Sequence, residues 1–104
     1  MDRKVEYILC AAIHYKDNRV YPAQPTNIDT GIVALGYRHK NCYDAMTILG
    51  YDMQLVNRTH QGFLTSHNRY VDRKEAYQIA KNAGQLLMNL DEQEQPELIS
   101  ENLY

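Results

Sequence analysis

The 104 residues predict an α+β domain, an antiparallel sheet packed with two helices. Three observations carry that prediction. Residues 5–15 alternate with a period of two, residues 42–49 and 76–83 repeat apolar positions at helical spacing, and the order reads strand, strand, strand, helix, strand, strand, helix.

Val5, Tyr7, Leu9, Ala11, Ile13 and Tyr15 alternate with Glu6, Ile8, Cys10, Ala12 and His14. Such a strand is apolar enough on both faces to be central. Lys16–Asn18 supply turn residues, and Arg19–Tyr21 are expected to return as a short strand. Pro22 and Pro25 then block pairing and make residues 21–30 a loop. The β-branched run Gly31–Tyr37 is the next buried strand. Asn41 is placed to cap the first helix, with Asp44 as its acidic partner. Cys42, Ala45, Met46 and Leu49 form the inward stripe, and Gly50 stops the helix.

Residues 51–66 read as one or two strands, broken near Asn57–Thr59 and at Gly62. His67 and Asn68 form a hairpin tip, from which Arg69–Val71 return. Asp72 caps the second helix with Glu75 at N3, a capping box with Asp in place of Ser or Thr. Val71 and Ala76 are spaced for a hydrophobic staple. Ala76, Ile79, Ala80 and Ala83 face inward, and Gly84 ends the helix. Residues 1–90 are thus expected to form one ligand-binding domain and 91–104 an acidic C-terminal tail. That tail reads as a frayed segment or as a short helix from Pro96, with Leu98, Ile99 and Leu103 docking on a neighbouring subunit.

Charge narrows the partners. Of thirteen acids, five lie in residues 88–104 without a Lys or Arg, leaving eight acids against eleven bases, about +3, in the rest. That balance suits anionic ligands but falls short of a duplex nucleic acid footprint. Nine tyrosines against one phenylalanine and no tryptophan point to half-buried aromatic surface at pockets or interfaces. Cys10 and Cys42 lack disulfide-framework and zinc-finger spacing and read as buried thiols. No apolar run is long enough for a membrane span, and the N-terminus does not read as a signal peptide. A reducing cytoplasm is the expected compartment.

Two junctions carry the candidate chemistry. Arg38 and His39 lie where a buried strand hands over to a helix N-terminus, whose free N–H groups and dipole favour phosphate. Arg73 and Lys74 repeat the geometry at the second helix, where cations oppose the dipole at a cost of a few tenths of a kcal/mol, about 0.3–1. Either a bound anion or a carboxylate such as Asp44 or Glu75 would offset them. Phe63, after Gly62, is either the core residue of its strand or a face on which a purine stacks. His14, His39, His60 and His67 are scattered, without metal-site or paired phosphoesterase motifs, and there is no Walker loop or G-x-S-x-G. No catalytic residue, metal or cofactor is expected. A Cys42–His39 nucleophile pair is disfavoured by the cysteine's place on the apolar stripe.

Gly36-x-Arg38-His39 entering a helix, then "QGFLTS" (61–66) and "RYVDRKEAYQIAKNAGQ" (69–85), resembles the first-described Thoeris anti-defence family of phage proteins. The resemblance spans roughly residues 5–87. It implies a sponge in the cytoplasm of an infected bacterium, which sequesters a cyclic ADP-ribose-type immune messenger uncleaved. It implies homodimers or hexamers with ligand pockets between protomers, and in some members further sites for cyclic di- or trinucleotides. On this chain it assigns base stacking to Phe63, basic contacts to Arg38, His39 and Arg73, a polar contact to Asp72, and supporting contacts to Gln61, Thr65 and Gln85. Two other readings stay open: a small inhibitor or adaptor that binds a host protein, and a nucleotide hydrolase using His39.

Overall fold

The period-two run forms β1, Ile8–Tyr15, in the computed structural model, which describes residues 5–87, 97–99 and 103. The remaining elements are β2 (Ile32–Gly36), α1 (His39–Ile48), β3 (Gln61–Thr65), β4 (Tyr70–Asp72) and α2 (Arg73–Asn82). The four strands pair antiparallel in the order β2-β1-β3-β4, so the fold is the expected α+β arrangement with β1 central.

One row of side chains explains the packing. Ala11 lies opposite Phe63, and Phe63 opposite Val71. These three and Ile13 are buried together with Cys42 and Met46 of α1 and Ala76, Tyr77 and Ala80 of α2. Both helices therefore share one face of the sheet. The α1 stripe is narrower than its spacing predicts: Cys42 and Met46 are buried, but Ala45 is exposed and Leu49 is 74% exposed. The α2 stripe is wider, because Tyr77 is fully buried beside Ala76 and Ala80.

Several boundaries differ from the sequence reading. β1 starts at Ile8 rather than Val5, with a register shift between Ile8 and Cys10. Arg19–Tyr21 form no strand; Asp17 instead accepts the Arg19 N–H at 3.0 Å and the Tyr21 hydroxyl, holding a turn. Residues 51–60 contribute short 3-10 turns, Met53–Leu55 and Arg58–His60, in place of a strand. Arg38, not Asn41, is the N-cap of α1. Asn41 acts from N3, its Oδ1 accepting the Arg38 N–H at 2.9 Å, while Asp44 pairs with Lys40 at 2.7 Å. The α2 cap is as expected: Asp72 Oδ1 accepts the Glu75 N–H at 2.8 Å.

Gly62 lies within β3 rather than breaking it. A Cβ there would collide with the Val71 carbonyl and stand 2.7 Å from Tyr70 Cζ. Tyr70 crosses this point to donate its hydroxyl to the His60 carbonyl at 2.8 Å. The proline loop uses its polar residues on both sheet edges. Gln24 Oε1 accepts the Val33 N–H of β2 at 2.8 Å, and Asn27 exchanges two hydrogen bonds, 2.6 and 2.8 Å, with the Tyr70 backbone of β4. The loop thus bonds one backbone group on the open edge of β2 and two on that of β4.

Leu98 is fully buried in the core of its own chain rather than docked on a neighbour, its N–H bonding the Arg73 carbonyl at 2.9 Å. Leu103 is half-buried against the same core, while Ile99 is exposed. Pro96, the expected start of a tail helix, lies outside the described residues. Cys42 is buried as expected, and burial pushes its thiol up to about 11. Cys10 is only half-buried.

Candidate functional site at the two helix entrances

The first residues of both helices converge on β3. Residues 58–60 deliver the chain into β3 at Gln61, whose amide reaches both ways. Its Nε2 donates to the Tyr43 hydroxyl of α1 at 2.9 Å, and its Oε1 accepts a hydrogen bond from Arg73 Nη2 of α2. One residue on, the Gly62 carbonyl accepts from His39 Nε2 at 2.8 Å. A carbonyl only accepts, so Nε2 carries the proton. The two junctions, 34 positions apart in the chain (39 to 73), thus meet on two adjacent residues of one strand.

Beside Gln61 a cleft of about 250 Å³ is lined by Thr59, Gln61, Asp72, Arg73, Lys74 and Glu97. Two cations and two carboxylates face it, so its formal charge is balanced by residues of the chain itself. The α2 N-terminus adds N–H groups and the positive end of its dipole. Arg38 does not line this cleft. It caps α1 and lies over the Tyr37 ring, 5.0 Å from its centroid.

Three residues expected at the site have other work. Phe63 is 0% exposed, its ring edge-to-face with His39 at 5.1 Å, so it has no face to offer a ligand. It is the core residue of its strand, the alternative that spacing left open. Thr65 is buried and donates its hydroxyl to Glu6. Gln85 clamps β1 where the register shifts: Oε1 accepts the Ile8 N–H at 2.7 Å and Nε2 donates to the Ile8 carbonyl at 2.9 Å. That pair of bonds replaces a missing strand partner.

Tyr43, Thr59 and Glu97 were not singled out by the sequence, whereas Lys74 was, with Arg73, as a cation in the first turn of α2. Nothing local marks Tyr43 or Glu97, which reach the site only through packing of α1 and of the C-terminal segment. Among the described residues no group of three or more His, Cys, Asp or Glu is arranged to hold a metal ion, and no helix is long and apolar enough to cross a membrane.

No curated protein and no solved structure matches the chain. The family model described as phage T4 y16D protein matches residues 7–104, which takes in both helix entrances, the β3 bridge between them and the tail residues packed beside them. The chain therefore belongs to the phage T4 y16D protein family.

Proposed function

We propose that this phage-family protein binds a phosphorylated small molecule at the joined helix entrances and holds it without cleaving it. The observation that carries this reading is the Gln61 bridge, with Tyr43 on one side and Arg73 on the other, next to the Gly62 contact to His39. The α2 N-terminus and the cations Arg73 and Lys74 at the cleft suit anionic oxygens, while Asp72 and Glu97 beside them suit ribose hydroxyls. The resemblance to Thoeris anti-defence sponges supplies the ligand class: a cyclic ADP-ribose-type messenger, held in the cytoplasm of an infected bacterium.

Size bears on the assembly. A cleft of about 250 Å³ lies below the roughly 300–1,000 Å³ of sites that enclose a ligand of this class. One chain would hold the phosphates, and a second copy would complete the pocket in a homodimer or hexamer.

Calorimetry of the full chain with a glyco-cyclic ADP-ribose isomer tests the reading. Binding at micromolar protein, release of unchanged ligand on heating, and affinity at least about tenfold lower in Arg73→Ala, about 1.4 kcal/mol, are expected. No heat with any cyclic nucleotide would end the proposal. Turnover of the ligand that disappears in His39→Ala would replace it with the hydrolase reading. The inhibitor reading keeps one observation of its own: Ile48, Leu49 and Leu55 are 84%, 74% and 66% exposed. It requires capture of a host protein by the wild-type chain and loss of that capture in Ile48→Asp.

A further inference from the structure

A second concavity of about 640 Å³ lies apart from the helix entrances, at the C-terminal end of α1. Tyr15, Tyr21 and Tyr51 wall it, with Asp17, Asp52 and Arg19 as its charged groups and Leu49 and Gly50 at the helix end. We propose that it is an aromatic cage for a small alkylated ammonium ion of the choline type.

Three tyrosines line the concavity. Tyr15 and Tyr51 pack edge-to-face, centroids 4.9 Å apart and planes at 66°, and so form one continuous aromatic side of it. Tyr21 is fixed by its hydroxyl, which donates to the Asp17 carboxylate. That carboxylate holds the Tyr21 phenol un-ionised, pushed up to about 12, and is itself held below the usual carboxylate range by the same bond. Phenol faces carry the negative part of the ring quadrupole and attract cations that water solvates weakly.

Charge favours the same ligand. Two carboxylates face one guanidinium, so the cleft is net negative. The helix contributes in the same sense: Leu49 and Gly50 are its C-cap and the residue beyond, where the dipole is negative, and α1 has no basic residue in its last turn. Gly50, at a φ of +91°, borders open space, since a Cβ there would meet nothing within 4 Å. A phosphate has no reason to enter this cleft, which separates it from the site proposed above.

The test is an NMR titration of the full chain with choline, against its neutral isostere 3,3-dimethyl-1-butanol and against sodium chloride at equal ionic strength. Saturating shifts of the Tyr15, Tyr21 and Tyr51 ring signals are expected with choline alone. Affinity should fall about tenfold in Asp17→Asn and in Tyr21→Leu. Neither residue belongs to the buried core, and unchanged Phe63 and Tyr77 signals show that each variant remains folded. If Tyr21→Leu does not fold, Asp17→Asn decides. Equal binding of the neutral isostere, absence of a saturating shift, or unchanged affinity in Asp17→Asn overturns the proposal.

Discussion

Glu6→Gln should cost the folded chain about 1–2 kcal/mol near neutral pH and almost nothing in strong acid. Glu6 sits just before β1, and its carboxylate takes Arg69 in a bidentate grip, Nε to Oε2 at 2.9 Å and Nη2 to Oε1 at 2.8 Å. Thr65 donates a third bond, and Arg69 also reaches Glu75 at 3.0 Å. The Arg69 guanidinium, more than the Thr65 bond, lowers the Glu6 carboxyl from 4.5 to about 2 against the opposing effect of burial. Taken whole, that shift corresponds to roughly 3 kcal/mol, at about 1.4 kcal/mol per unit. Arg69 is 35% exposed against 16% for Glu6, so solvent screening reduces the figure to about 1–2 kcal/mol. Because the folded-state pKa is depressed, this stability is complete above about 4.5 and disappears as pH falls toward about 2. Urea denaturation of wild type and Glu6→Gln across that range is the assay. The gap between their stabilities should narrow on acidification, because a protonated Glu and a Gln offer Arg69 similar partners. A gap of constant size from neutral pH down to about 2 would refute the electrostatic account and leave only packing.

Two further changes separate core from site. Phe63→Ala should destabilise the fold by about 3–5 kcal/mol in chemical denaturation, since the ring is wholly buried between Ala11, Val71 and His39; an unchanged midpoint would mean that the ring is not packed in the core. Gly62→Ala should cost about 1–3 kcal/mol, because the new methyl meets the Val71 backbone carbonyl, which has little room to yield. Melting curves should place it well below Gly36→Ala, whose methyl would meet Cys42 and Asn41 at 3.1 Å, and equal melting of the two would contradict the close approach.

The helix entrances were legible because their chemistry is local. Asp72 caps α2 through a residue three positions away, and the flanking Val71 and Ala76 are both buried as a staple requires. The first helix was legible in kind but not in start. Asn41 has a cap residue's chemistry, yet the helix starts at His39, which bonds the Gly62 carbonyl and packs on Phe63. Spacing left the role of Phe63 open, with the core position that the structure shows as one of its two readings. A strand residue after glycine satisfies the pattern for a core ring and for a stacking platform alike, and the depth of the sheet beneath α1 and α2 chooses between them.

Periodicity, capping residues and glycines by themselves determined an antiparallel sheet with two helices, and they named both cationic helix entrances. Tertiary structure alone decided that those entrances meet on Gln61 and Gly62, that Gln85 clamps Ile8 from 77 positions away, and that Leu98 returns to the core of its own chain. The physical reason is range. A turn or a cap is satisfied within a few residues and leaves its signature there. An amide that bonds a distant backbone looks in sequence like any other surface glutamine.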